Sequence, residues 1–297
     1  MREPSLSSTA WLRPLSRFRA RVLLVAGLLL PASLAHANVI LVAASAVGAG
    51  GSSCSLVDAI NAANNNAATG ACPAGDDKTN GGDVIVLAAG TYKIGSIDND
   101  WYGPNGLPPI TSKITIVGDP KGTVIMRSTN QGVQAFRLFF VGGGQSVANY
   151  NPPTDFSTLP GRGNLTLINL TIENGLAQGG NGGTSAQGNG GGGLGAGGAI
   201  YNQGTLTLQG VTLVGNQALG GASGSGNSSN NGDPGGGGGM AGAGDGFGNG
   251  GGFNTNGSWP DNTTPSGEFG NGGSMNQAGG VGGGGGSNAK GGYGGGG

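Results

Sequence analysis

The sequence predicts an all-β solenoid, a chain that winds short strands into stacked turns, and three observations carry that prediction. The stretch Leu165–Ile172 (LTLINLTI) is echoed by Leu206–Leu213 (LTLQGVTL): Leu, Thr and Leu coincide, two linking residues follow, then an aliphatic, Thr and an aliphatic. Ile114-Thr115-Ile116 is a third copy of the first half. Alternation of this kind puts the aliphatics on one face of a strand and the threonines on the other, and a recurring unit of that size buries its apolar face by stacking on the next. Leu206, Leu208, Val211 and Leu213 are therefore expected to point inward, matching Leu165 and Leu167 in the preceding copy, while Thr205, Thr207 and Thr212 face out.

Residues 1–37 read as a secretory signal. Arg2, Arg13, Arg17, Arg19 and Arg21 stand against Glu3 alone, the apolar run Val22–Leu30 follows, and Ala35-His36-Ala37 supplies a small-residue cleavage site. The apolar run is too short to span a bilayer, which takes about 20 residues. Cleavage is expected between Ala37 and Asn38, placing the mature chain outside the cell or on the cell outer membrane surface. That chain keeps 8 basic and 13 acidic residues, a net charge of −5. With no basic patch, nucleic acid is excluded as a partner. The only histidine, His36, leaves with the signal, which removes Ser-His-Asp, Cys-His and His-ligated metal chemistry.

Residues 38–82 form an entry segment: the apolar run Val39–Ala43, a Gly-rich hinge and then Cys54–Asn64 (CSLVDAINAAN). Ser55 with Asp58 three residues on fits a helix-starting capping box, Leu56, Ile60 and Ala63 share one helical face, and Asn64-Asn65-Asn66 stops the helix. Such a short helix suits the open first turn of a solenoid, whose strand edge otherwise invites pairing. Cys54 and Cys72, 18 residues apart in an exported chain, read as one local disulfide, the alternatives being two buried thiols or an intermolecular bridge.

Residues 83–216 form the strand-rich body. Expected strands are Val84–Leu87, Tyr92–Ile94, Ile114–Val117, Val124–Arg127, Phe136–Val141, Leu165–Leu167, Leu170–Ile172, Ala199–Tyr201, Leu206–Leu208 and Val211–Leu213. The copies lie farther apart than the 20 to 30 or so residues that a turn of three short strands needs. Two insertions, Gly142–Gly163 and Leu176–Gly197, account for the excess.

Residues 217–297 show no strand periodicity. From Leu176 to the last residue, 50 of 122 residues are glycine. Such a stretch lacks the side chains to offset its ordering entropy, so residues 217–297 read as a flexible, low-complexity spacer. Stacked polyglycine helices are the alternative. A collagen triple helix is excluded, since no strict G-X-Y period is kept. The solenoid needs a terminal cap, and Gly294–Gly297 offers none, which predicts a fragment whose later turns and outer-membrane anchor are missing.

Cys54–Asn64 resembles the C-S-L-R-E-A-I-x-A-A-N signature of bacterial surface proteins with a CSLREA domain, and Asp83–Tyr92 (DVIVLAAGTY) resembles the I-x-L-P-A-G-T-Y strand that follows it. Val57-Asp58 stands where the signature has Arg-Glu. Gly197-Gly198-Ala199-Ile200 is similar to the G-G-A-I element of chlamydial polymorphic outer membrane proteins, with Leu213–Asn216 standing for its F-x-x-N companion. The resemblance spans about Gly51–Asn216. It implies a right-handed parallel β-helix on a bacterial cell surface, often the passenger of an autotransporter, meeting host or neighbouring-cell glycans or proteins.

Parallel β-helices also carry polysaccharide lyases and glycosidases, which gives a competing reading: a secreted carbohydrate-active enzyme whose active-site half is missing. Glycoside hydrolysis needs two carboxyl groups facing one cleft. The acids Asp83, Asp98, Asp100, Asp119, Asp155 and Glu173 do not recur with the repeat, and Asp is an ordinary turn residue. Asp98-Asn99-Asp100 beside Trp101 is the best candidate sugar or calcium contact, with a plain surface loop the stronger reading. Asp245 fails the calcium-binding G-G-x-G-x-D nonapeptide because Ala243 stands where glycine is required. The sequence therefore predicts a non-catalytic chain with neither cofactor nor metal.

Overall fold

Among the described residues, the named strands of this chain pair with one another in parallel. The computed structural model describes residues 38–76, 82–142, 163–225, 234–252, 256–257, 272–279 and 282–297. Residues 1–37, where the expected signal and its cleavage site at Ala37 fall, together with Asp155 and the interior of the first insertion, lie outside them. The strands are β1 (Val39–Val42), β2 (Asp83–Leu87), β3 (Gly90–Ile94), β4 (Lys113–Gly118), β5 (Thr123–Arg127), β6 (Phe139–Val141), β7 (Asn164–Ile168), β8 (Thr171–Glu173), β9 (Leu176–Gln178), β10 (Ile200–Asn202), β11 (Thr205–Gln209), β12 (Thr212–Val214) and β13 (Gln217–Leu219). Among the described residues one helix, α1 (Leu56–Asn65), precedes β2.

Each sheet takes strands from successive passes of the chain. The five-stranded sheet runs β1-β2-β4-β7-β11, the four-stranded one β12-β8-β5-β3, and β10-β6 and β13-β9 make two short ones. The register is the one the sequence repeat predicts. Leu206 pairs with Leu165, Leu208 with Leu167, and Leu213 with Ile172. Ile114 and Ile116 pair with Leu165 and Leu167. The corners repeat too: Asn169 (φ 53°) and Gly210 (φ 61°) occupy the left-handed region at matching positions, where asparagine and glycine are the residues that tolerate it.

Three expected boundaries shift. Val39–Ala43, expected in the entry segment, supplies β1, which extends the five-stranded sheet at one edge. Leu176–Gln178 and Gln217–Leu219, expected in an insertion and in the spacer, pair as β9 and β13. These strands are too short for alternation to register, and a cross-strand partner decides them. The two ends of the Gly142–Gly163 insertion meet: a Cβ on Gly163 would lie 2.6 Å from the Gly142 nitrogen.

The core is filled by the inward aliphatics, among them Ile85, Ile114, Ile116, Ile125, Leu165, Leu167 and Ile172, with α1 packed against it through Leu56, Ala59, Ile60 and Ala63. The last turn departs from expectation. Leu208 and Leu213 are 41% and 50% exposed, whereas Leu167 and Ile172, their register partners, are fully buried. Leu206 and Val211 still pack against the core. Among the described residues, nothing stacks on the far side of β11 and β12, so the inward face ends in solvent.

The largest correction concerns the glycine-rich stretches, which are not a flexible spacer where they are described. Residues 235–240 are buried and donate backbone hydrogen bonds in strict rotation. Gly235 and Gly238 donate to Gly188 and Gly191, Gly236 and Gly239 to Asp245 and Gly242, and Gly237 and Met240 to Gly285 and Gly282. The same segment accepts from Gly180, Gly183, Gly251 and Gly296, which surrounds it with neighbours on all sides. A donor direction that recurs every third residue is the signature of an extended screw with three residues per turn. Stacked polyglycine segments, the alternative left by the sequence, are what this backbone forms. Glycine is demanded sterically: a Cβ on Gly238 would strike the Gly180 carbonyl oxygen, and one on Gly193 that of Gly239.

Candidate functional site

The motif richest in sequence signal builds the N-terminal cap. Ser55 is the N-cap of α1 and its Oγ accepts from the Asp58 N–H at 3.1 Å, half of the expected capping box. The other half differs. The buried Asp58 carboxylate accepts from Ser55 Oγ and from the Gly50 N–H, both at 3.0 Å, and so ties the Gly-rich hinge to the helix. Val57, standing where the signature has arginine, packs against the core. Asn66 closes the helix in the left-handed region, as the Asn run predicts. Asn64 clamps α1 onto the approach to β4: its Nδ2 donates to the Pro109 carbonyl at 2.7 Å and its Oδ1 accepts from the Thr111 N–H at 3.0 Å. Cys54 and Cys72 form one disulfide that fastens the two ends of this cap.

The elements similar to G-G-A-I and F-x-x-N are structural as well. Gly198 lies so close to the next turn that a Cβ would meet the Gln217 carbonyl, and Gly197 takes a left-handed φ of 66°. Asn216 bridges two turns, donating from Nδ2 to the Ile172 carbonyl at 2.9 Å and accepting at Oδ1 from the Gly175 N–H at 2.8 Å.

The acids singled out by sequence fall on separate elements. Asp119 caps a turn, its Oδ1 accepting from the Lys121 N–H at 2.8 Å. Glu173 ends β8, and Asp98 and Asp100 lie exposed on one loop. Asp245, in the glycine bundle, accepts from the backbone of Phe247 and Asn249, a turn-capping arrangement. Asp83, buried at the start of β2, accepts from the Asp76 N–H at 2.6 Å. Burial raises its pKa; the Asp76 hydrogen bond opposes this and the Asp76 charge adds to it. This pair of carboxyl groups was not expected from sequence, because Asp76 lies outside the strand-rich body. Among the described residues, no group of three or more His, Cys, Asp or Glu is placed to hold a metal ion.

A second feature missed by the sequence reading is a buried arginine within an aromatic cluster. Arg137 is 2% exposed, donates from Nη2 to the Tyr102 carbonyl at 2.7 Å, and stacks 4.9 Å from the Tyr201 ring centroid. The Tyr102, Phe140 and Tyr201 rings stack on one another, 5.2 to 6.2 Å apart. Burial pulls the guanidinium pKa down to about 10, with the Tyr201 phenol acting the other way. Asn105 completes the hub, its Nδ2 donating to Asn99 Oδ1 and to the carbonyls of Trp101 and Gly103. The Asp98–Trp101 segment is thus a loop folded over this hub, with the glycine bundle docked on it through Met240. The sequence held one clue: Phe140 and Tyr201 sit at matching positions of β6 and β10.

Beside the hub lies a cleft of about 290 Å³, lined by Pro104, Gln134, Gln178 and Asn181 among others, and by no charged side chain. Its carboxamides and backbone groups can hydrogen-bond a neutral polar ligand, and it offers no nucleophile, acid or base. Comparison with family models, curated proteins and solved structures finds no match to this chain.

Proposed function

We propose that the chain is an exported, non-catalytic surface protein: a right-handed parallel β-helix used in adhesion or display, in the manner of an autotransporter passenger. One observation carries this reading. The residues that the sequence marks as special are occupied in holding the stack together: Cys54 and Cys72 in a disulfide, Ser55, Asp58 and Asn64 in the cap, and Gly198 and Asn216 between turns. The parallel strand order with in-register aliphatics and a covered first turn supports a β-helix, the disulfide supports an oxidising compartment, and the uncharged amide-lined cleft suits a glycan better than an ionic ligand.

The pair Asp76 and Asp83 favours the second reading, a carbohydrate-active enzyme, because a buried carboxyl with a raised pKa suits a general acid. Incubation of the exported chain with pectin, alginate and mixed glycans separates the two. The display reading expects binding without release of reducing ends. Release that is abolished by Asp83→Asn would replace it with the enzyme reading.

A further inference from the structure

The cleft beside the Arg137 hub lies where the strand stack meets the glycine bundle. Gln134 and Ala135 follow β5, Gln178–Asn181 run from the end of β9, and Ala241 and Ala243 belong to the bundle. The backbone N–H groups of this lining are already engaged. Those of Gly179 and Gly180 donate to the Leu219 and Gly239 carbonyls, that of Ala241 to the Gly239 carbonyl, and that of Ala243 to Asn256 Oδ1. Asn181 Oδ1 accepts from the Ala222 N–H. Side chains are what remains to meet a ligand. Among the described residues neither the Gln134 nor the Gln178 carboxamide has a hydrogen-bond partner, and each carries two donors and an acceptor. One wall is also strained. Ala241 holds a φ of 109°, beyond the 52 to 61° of the other described non-glycine residues with positive φ, in a region left almost entirely to glycine. With Gly242 next to it, the strain keeps a methyl group where glycine would sit more easily.

We propose that this cleft binds a neutral saccharide: one or two rings of a glycan that carry no carboxylate or sulfate. The proposal rests on the display reading and names the ligand class met there. A sugar hydroxyl is donor and acceptor on one atom, which suits a pair of carboxamides that are both at once. The Pro104 ring and the methyl groups of Ala135, Ala241 and Ala243 supply apolar surface for the C–H face of a ring. Other neutral ligands fit less well. A peptide or a further strand binds through a run of free backbone groups, and the N–H groups of Gly179, Gly180, Ala241 and Ala243 are all taken. A nucleobase calls for an aromatic face to stack on, and none lines the cleft. A uronate carboxylate would lose water with no cation in the lining to pair with it. Arg127 braces the Gln134 wall by donating from Nη1 to its carbonyl at 3.3 Å, but does not join the lining. The volume of about 290 Å³ is at the small end for ligand sites, which keeps the ligand short.

Calorimetric titration of the exported chain with neutral hexose and N-acetylhexosamine trimers, and with trigalacturonate as the acidic control, tests this. A neutral trimer should bind, and trigalacturonate should bind at least about tenfold more weakly. The double substitution Gln134→Ala/Gln178→Ala should lower the affinity for the neutral trimer about tenfold. Its unfolding midpoint should not move, because both side chains are exposed. Ala241→Gly separates binding from stability: it relieves the strained φ and should leave the midpoint no lower, yet it removes a methyl contact and should weaken binding severalfold. Affinity unchanged in both variants, tighter binding of trigalacturonate, or no binding of any neutral trimer would each overturn the proposal. Reducing ends released from a bound trimer would instead remove the display reading and leave the site in place.

Discussion

The strand stack and the glycine bundle are both held by backbone hydrogen bonds and treat side chains in opposite ways. In the stack, each strand bonds to neighbours in one plane, leaving the two faces free for side chains: one row fills the core and the other meets solvent. In the bundle, Gly235–Gly239 bond outward in three directions and accept from others, so no face remains there for a Cβ. The contrast shows where compositional reasoning about disorder goes astray. That reasoning counts apolar side chains available for burial, and it scores the stretch carrying 50 of the 71 glycines as unable to fold. Close-packed backbone is a different route to order. It sets dense hydrogen bonding against the large ordering entropy of glycine.

The strongest way to break the comparison is to put a charge into the stack. Leu167→Asp places an unpaired carboxylate in a fully buried position between Ile116 and Leu208 and should cost more than about 4 kcal/mol, enough to unfold the neighbouring turns. Leu208→Asp, at the matching but exposed position, should cost a small fraction of that. Thermal unfolding of the two variants measures the gap, and equal losses would mean that the inner and outer turns are not distinguished by burial.

Next in size is the cap. Cys72→Ser opens an 18-residue loop and should cost about 3 kcal/mol on the chain-entropy estimate. Alkylation of denatured wild-type chain should modify no thiol until reductant is added. The variant should also aggregate more readily, because a loosened cap uncovers the β1 edge.

The register of the stack was legible in the sequence because identical neighbours repeat: Leu165, Thr166 and Leu167 sit opposite Leu206, Thr207 and Leu208 as the alignment of the two stretches implies. The cap was legible because its cues are local, all lying between Ser55 and Asn66. Two parts were not. β9 and β13 are three residues each, too short to show a period, and exist through their pairing. The hub at Arg137 brings together Tyr102, Tyr201 and Met240, far apart in the chain, on strands and loops with no shared pattern. The bundle was legible only as an alternative, for a third reason. Its order comes from which glycine bonds to which, and a run of identical residues carries no record of that.

Inside the bundle, Gly238→Ala is the sharpest probe. Its φ is not in the left-handed region, so alanine meets no conformational barrier, yet the Cβ would strike the Gly180 carbonyl. Overpacking of this kind should cost about 1 to 3 kcal/mol. The loss should fall on the bundle, read as faster amide exchange at Gly180, Gly191 and Gly285 with the strands unaffected.

The smallest effect separates packing from conformation. Gly132, in the turn after β5, has a φ of +86° and open space where a Cβ would go, the reverse of Gly238. Gly132→Ala should therefore lose about 1 kcal/mol through backbone strain alone. Asparagine tolerates left-handed φ better than alanine does, so Gly132→Asn should recover part of that loss. At Gly238 the same asparagine is larger than alanine and should make matters worse. The test is the order of midpoints in denaturant: Asn above Ala at 132, and Ala above Asn at 238. The same order at both positions would mean that glycine is required in the bundle for its conformational freedom rather than for its missing side chain, and the contrast between the two regions would fail at its base.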